Sequence, residues 1–196
     1  MVLLDESEEE LQVNYVQPIR DPEKVNAMII HLKNRKERDY MLFLIGISVG
    51  LRISDILPLQ KEDVLYDHMD IVEKKTKKRK RVKIPPYIRK EVQTYIKALH
   101  EGEYLFKSRQ GDNRPIDRST AYRILREAAE ACGIREIGTH TLRKTFGYHF
   151  YLDTKDVVTL QELFNHSTPS TTLRYIGINQ DGLDKAMDKF KPSWLK

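Results

Sequence analysis

Arg52, Lys75, His140, Arg143, His166 and Tyr175 are the residues of this chain whose types and order could do chemistry, and that chemistry is the handling of a phosphate ester. Two guanidinium groups can grip the non-bridging oxygens of a phosphate in a bidentate way. A lysine can protonate a leaving oxygen, and two histidines can move protons or donate hydrogen bonds. A tyrosine hydroxyl can attack phosphorus once cations and a base offset its free pKa of ~10. Such a set needs no metal ion. Taken singly, each member has a plainer reading. Arg52 could pair internally with Asp55 or Asp63, His140-x-x-Arg143 could be surface chemistry on one helix face, and Tyr175, one of ten tyrosines, could belong to a core or an interface.

The charge distribution points the same way. Lys74 to Lys83 hold eight of the 34 basic residues and no acid, which leaves 26 basic residues against 29 acidic ones elsewhere. The net charge of +5 is therefore focused on one segment, the electrostatic footprint of a polyanion partner; a solvated charged hairpin, or a localisation signal in a nucleated cell, is the bland alternative. Lys74, Lys77, Lys78, Arg79, Lys80 and Arg81 are the candidates for backbone phosphate contacts. No apolar run is long enough for a membrane helix, and the acidic start excludes a secretory signal. The single cysteine, Cys132, rules out an internal disulfide framework or a multi-cysteine zinc site; it reads as a small buried residue in a reducing cytoplasm.

The elements that must position these groups are legible from caps and periodicity. Asp21 and Pro22 open a helix whose apolar positions are Val25, Met28, Ile29 and Leu32. Glu37 to Val49 is apolar nearly throughout, the mark of a central buried helix, and Gly50 ends it. A short helix over Ser54 to Leu57 stops at Pro58. From Val64 to Ile84 the pattern becomes that of a hairpin, with its turn around Lys77 to Arg79 and its end at Pro85-Pro86. Helices are expected from Tyr87 to His100 and from Asp117 to Gly133, then over about 141–152, 156–164, 170–176 and 181–190. The fold class is mostly α with a small antiparallel β-sheet (α+β).

Three segments carry a resemblance. Gly50-Leu51-Arg52-Ile53-Ser54-Asp55, Thr139-His140-Thr141-Leu142-Arg143-Lys144-Thr145-Phe146 and Leu163 to Tyr175 resemble the catalytic domain of the tyrosine recombinases, the phage integrase family, over about Asp21 to Phe190. The family's first arginine falls on Arg52, its hairpin lysine (commonly followed by Thr) on Lys75, its His-x-x-Arg box on His140 and Arg143, its second histidine on His166 and its nucleophile on Tyr175. Lys144 joins the expected DNA contacts. Lys74, Lys77 and Lys78 are rivals of Lys75, because hairpin register is not set by this sequence. The family usually has Leu-Gly-His where this chain has Phe164-Asn165-His166; Asn tolerates the left-handed backbone nearly as Gly does.

The resemblance implies site-specific recombination of the integration or excision type, through a 3′-phosphotyrosyl intermediate, with no metal, ATP or other cofactor. It implies double-stranded DNA as partner, self-association in a tetrameric synapse, and a cytoplasmic, nucleoid-associated protein without membrane attachment. Residues 1–18 are expected to be an acidic, disordered leader, 19–180 the catalytic domain, and 181–196 a C-terminal helix and tail, with Met187, Phe190 and Trp194, that could dock on a neighbouring subunit. A separate DNA-clamping domain usually precedes the catalytic one; about 20 residues stand there here, as expected of a fragment, a minimal member, or a chain that borrows its grip. The rival readings are a non-catalytic DNA-binding accessory protein of the same fold and a type IB topoisomerase-like nicking and closing enzyme.

Overall fold

The computed structural model describes residues 16–74 and 77–191. The Asp21 carboxylate accepts from Glu23 N–H at 2.8 Å and opens α1 (Pro22–Arg35), as a cap with proline at the first helical position should. The next helix, α2 (Glu37–Val49), buries residues all round its circumference and lies at the centre, packed against α1, α4 (Pro86–Ile96) and α6 (Thr141–Thr154). It ends where Gly50 turns to φ 65°; a Cβ there would also lie 2.3 Å from the Phe146 ring, so both the backbone and the close approach of α6 require glycine.

After the short α3 (Ile53–Ile56) and a 3₁₀ turn over Lys61–Val64, strands β1 (His68–Val72) and β2 (Arg79–Lys83) pair antiparallel and form the two-stranded sheet of the described residues. Their register sets Met69 opposite Val82 and Ile71 opposite Lys80. The strands close earlier than the sequence suggested: Glu73 N–H donates to Lys78 O at 3.0 Å, and Arg79 is already in the strand. With no Gly available, Lys77 takes the left-handed conformation itself, at φ 58°. Burial of Met69 and Val82 as a facing pair decides this register; turn residues alone did not reveal it.

The remaining helices are α5 (Arg118–Ala131), capped by Asp117, then α6, α7 (Val157–Phe164), α8 (Pro169–Tyr175) and α9 (Ile178–Lys189). The last begins three residues earlier than periodicity indicated, because Gly177 at φ 87° turns the chain directly from α8 into it. The main core runs from Ile19 through α1, α2 and the hairpin to α5 and Leu142 of α6. A second, smaller cluster is built on Leu160, Phe164 and Ile176, with Phe146, Phe150, Leu173 and Tyr175 packed on it. Cys132 is half-buried against the main core and burial pushes its thiol up, as a structural cysteine should behave. The expected leader falls mostly on 1–15, outside the described residues, as do Lys75 and Trp194; no described helix is long and apolar enough to cross a membrane.

Candidate active site

Arg143 is the centre of the site. It projects from the first turn of α6, is 2% exposed, and donates from Nη1 to Gly50 O at 2.7 Å and from Nη2 to Phe164 O at 2.8 Å. The ends of α2 and α7 are thus stapled by one guanidinium, which also lies 4.1 Å from the Phe164 ring centroid. Burial, and then the nearby Arg52, lower its pKa to about 10, so it stays charged at neutral pH.

Arg52 is the residue before α3, just beyond Gly50. Its partner is neither Asp55 nor Asp63 but Glu73, whose Oε1 is 3.4 Å from Nη1 and which is 3% exposed. Asp63 caps the 3₁₀ turn, and Asp55, also buried, accepts the Lys74 N–H at 2.9 Å, fixing the root of the hairpin turn to α3.

Tyr175 ends α8 and is half-buried, its ring edge-on to Phe164 and His166 at 5.6 Å and 5.1 Å between centroids. Its hydroxyl lies 3.4 Å from His140 Nδ1. Burial raises its pKa above the ordinary tyrosine value, while Arg143 and Arg52 pull it down. His166 follows Asn165, which ends α7 in the left-handed conformation at φ 53°, the role expected of Asn in place of Gly. His166 Nδ1 lies 3.1 Å from Thr172 Oγ1, a fully buried hydroxyl that also reaches Thr168 O. Burial, then Arg143 and Arg52, lower His166 to about 4, so the ring is neutral at neutral pH.

Two lysines differ from their expected place among the DNA contacts. Lys80 turns inward: its Nζ donates to Leu163 O, lies 3.9 Å from Glu73 Oε1, and its pKa is lowered by burial and then by Arg143. Cross-strand pairing explains this, since Lys80 shares the inner face with Ile71 and Val82. Lys144 is 4% exposed, donates to Val16 O at 2.7 Å, and stands over the Tyr175 ring. Its position after Arg143 on a helix packed both on α2 and on α7 gives it no route outward. Lys74, Lys77, Lys78, Arg79 and Arg81 are exposed, as expected.

Five of the six candidates can be placed. The structure brings Arg52, His140, Arg143, His166 and Tyr175 together with Lys80 and Glu73, while Lys75 lies outside the described residues. The inward Glu73 and Lys80 had a signal: each lies two residues from a buried apolar strand position, Ile71 and Val82. The platform role of Phe164, under Arg143, His166 and Tyr175, had none.

The sequence model described as the phage integrase family matches residues 20–181, the span that holds all of these groups. The chain belongs to the phage integrase family. Among its relatives, "Probable integrase/recombinase YoeC" of Bacillus subtilis is 55% identical over 170 residues, covering 86% of this chain and 93% of that protein. "Tyrosine recombinase XerA" of Thermococcus kodakarensis is 30% identical over 173 residues, covering 86% of this chain and 61% of that one. The fold is that of the XerA recombinase crystal structure (TM-score 0.71, 21% identity, 90% of this chain and 65% of that one) and of the catalytic domain of bacteriophage HP1 integrase (TM-score 0.61, 21% identity, 91% and 98%). This integrase-family chain therefore spans the YoeC relative almost whole but only about three-fifths of the XerA relative.

Proposed function

We propose that this chain is a tyrosine recombinase that carries out site-specific DNA recombination, cutting and rejoining strands through a 3′-phosphotyrosyl link at Tyr175. The observation that carries this reading is the placement of the Tyr175 hydroxyl 3.4 Å from His140 Nδ1, in a pocket whose field is set by Arg143 and Arg52. Attack by the tyrosine oxygen on phosphorus expels the 5′-oxygen, and religation reverses the step with a new 5′-hydroxyl, so the bond energy is kept without ATP. Arg52 and Arg143 hold the non-bridging oxygens and stabilise the charge that grows on them. His140 takes the tyrosine proton. His166 donates to the phosphate, and the phosphate charge offsets the burial and the two arginines that hold the free ring neutral.

Protonation of the 5′-oxygen falls to a hairpin lysine. Lys75 has the position that the family resemblance assigns, and Lys80 has its pKa lowered by burial and then by Arg143, which makes it a stronger acid than an ordinary lysine. A duplex with sulfur in place of the bridging 5′-oxygen separates them, because a thiolate leaves unprotonated. Cleavage of the oxygen substrate is expected to fall about 10²-fold or more in the variant lacking the acid, and to recover on the sulfur substrate. We expect this of Lys75→Ala; recovery in Lys80→Ala alone would transfer the role.

The exposed Lys74, Lys77, Lys78, Arg79 and Arg81 hold backbone phosphates on duplex DNA. Exchange between two duplexes calls for a tetrameric synapse, and α9 supports this part of the reading: it buries no residue, and Leu183, Met187 and Phe190 are exposed on it as a docking face for a neighbouring copy. Work on such DNA places the protein with the nucleoid. The experiment is covalent trapping on a pool of nicked duplexes with randomised core sequence, followed by denaturation in detergent. A protein–DNA adduct in the native protein that is absent in Tyr175→Phe is the expected result; binding without any adduct would reduce the chain to an accessory protein.

A further inference from the structure

Residues 16–20 lead towards α1 without regular secondary structure, and this short stretch is tied to both sides of the helix that carries Tyr175. Towards α6, Ile19 N–H donates to Thr145 Oγ1 at 2.9 Å, and Ile19 O lies 2.9 Å from His149 Nε2. Lys144 Nζ donates to Val16 O at 2.7 Å, and the same ammonium stands 5.2 Å from the centroid of the Tyr175 ring. Beyond α8, Arg20 Nε pairs with Asp181 Oδ1 at 2.8 Å, and its Nη2 lies 3.5 Å from the carbonyl of Gly177, two residues past Tyr175. Tyr148 completes the clasp, its ring 5.5 Å from the Arg20 guanidinium and its hydroxyl donating to Asp181 Oδ2 at 2.9 Å. Gly177 turns there at φ 87°, a conformation that favours glycine, and brings its carbonyl under the Arg20 guanidinium.

We propose that Lys144 and Arg20 are positioning residues that fix Tyr175 for attack by clamping its helix to residues 16–20, so that the nucleophile is aligned only while that segment is seated. This rests on Tyr175 being the nucleophile. Lys144 stands over the Tyr175 ring and Arg20 reaches the turn that follows it, so each holds the polypeptide on one side of the nucleophile. A force applied through residues 16–20, by bound DNA or by another chain, would reset the tyrosine without contacting it.

The charge of Lys144 gives the clamp a pH signature. Burial, and then Arg20 from the entering segment, lower Lys144 to about 8; Tyr175 faces it from α8, and Asp181 and Tyr148 face Arg20. Below that pH the ammonium is charged and the clamp complete, and as pH rises through it the clamp loosens. An arginine at this position would keep its charge.

The test measures single-turnover adduct formation on the nicked duplex pool from pH 6.5 to 9.5, beside DNA affinity and thermal melts. Lys144→Met and Arg20→Gln are expected to slow the adduct at least about tenfold at pH 7 while duplex affinity stays within about twofold, since small misplacements of a nucleophile are costly. Lys144→Arg should restore the rate and remove the alkaline loss of the native protein. Arg20 is partly exposed, so Arg20→Gln is informative even if Lys144→Met does not fold. Native rates in both variants, or the same pH profile in the native protein and Lys144→Arg, would overturn the proposal while leaving Tyr175 as nucleophile. An adduct absent from the native protein, or persisting in Tyr175→Phe, would overturn both.

Discussion

A Tyr175→Phe protein is expected to bind duplex DNA as tightly as the native one and to form adduct at least about 10⁴-fold more slowly, the scale of losing a nucleophile outright. The substitution removes one oxygen and leaves the ring between Phe164, His166 and Lys144. The lost contacts are the long 3.4 Å approach to His140 and a hydrogen bond with Arg143, which keeps both its carbonyl partners, so the stability cost should stay within about 1.5 kcal/mol. Denaturant midpoints and adduct rates measured on one preparation check both halves. Adduct at the native rate would move the chemistry to another side chain.

The second large effect belongs to Arg143. Arg143→Lys keeps the charge but cannot span Gly50 O, Phe164 O and a phosphate at once. Strand cleavage is expected to fall by about 10²–10³-fold, and the fold to lose about 1–3 kcal/mol as a buried carbonyl goes unpaired. The same change at Arg52, which is partly exposed and keeps a charge to offer Glu73, should cost activity with less than about 1 kcal/mol of stability. Trapping rates and urea midpoints on both variants check the contrast. An Arg143→Lys enzyme within tenfold of native would show that one arginine suffices for the phosphate.

These contrasts mark where sequence was enough and where it was not. Asp21, Pro22, Asp117, Gly50 and Gly133 announced helix ends through local backbone chemistry, which acts within a few residues and is written there. The group from His140 to Tyr175 was legible because α6, α7 and α8 follow one another with short connections, so spacing along the chain approximates spacing in the molecule. The inward aim of Lys80, the ion pair of Glu73 with Arg52 and the burial of Lys144 depend on strand register and on packing between distant segments. In a run of eight basic residues charge hides the alternation, and nothing local tells the inner lysine from the outer ones. Asn165 lies between the two cases: its tolerance of the left-handed backbone could be anticipated, whereas its consequence, His166 set edge-on to both Phe164 and Tyr175, could not.

The division of the apolar interior into a main core and the small cluster around Leu160, Phe164 and Ile176 has a kinetic consequence. Regions with few buried contacts open at lower free energy than the whole. The chain from α7 to α8 should therefore swing away as a unit while α2 stays protected, and amide exchange is expected to be faster at Leu173 to Ile176 than at Leu42 to Ile45. Two hydrogen bonds latch that unit at the end of α7, from Arg143 to Phe164 O and from Lys80 to Leu163 O, beside the clamp on α8. A nucleophile mounted on such a flap can follow the DNA end to which it is joined, and the domain need not unfold to let it travel.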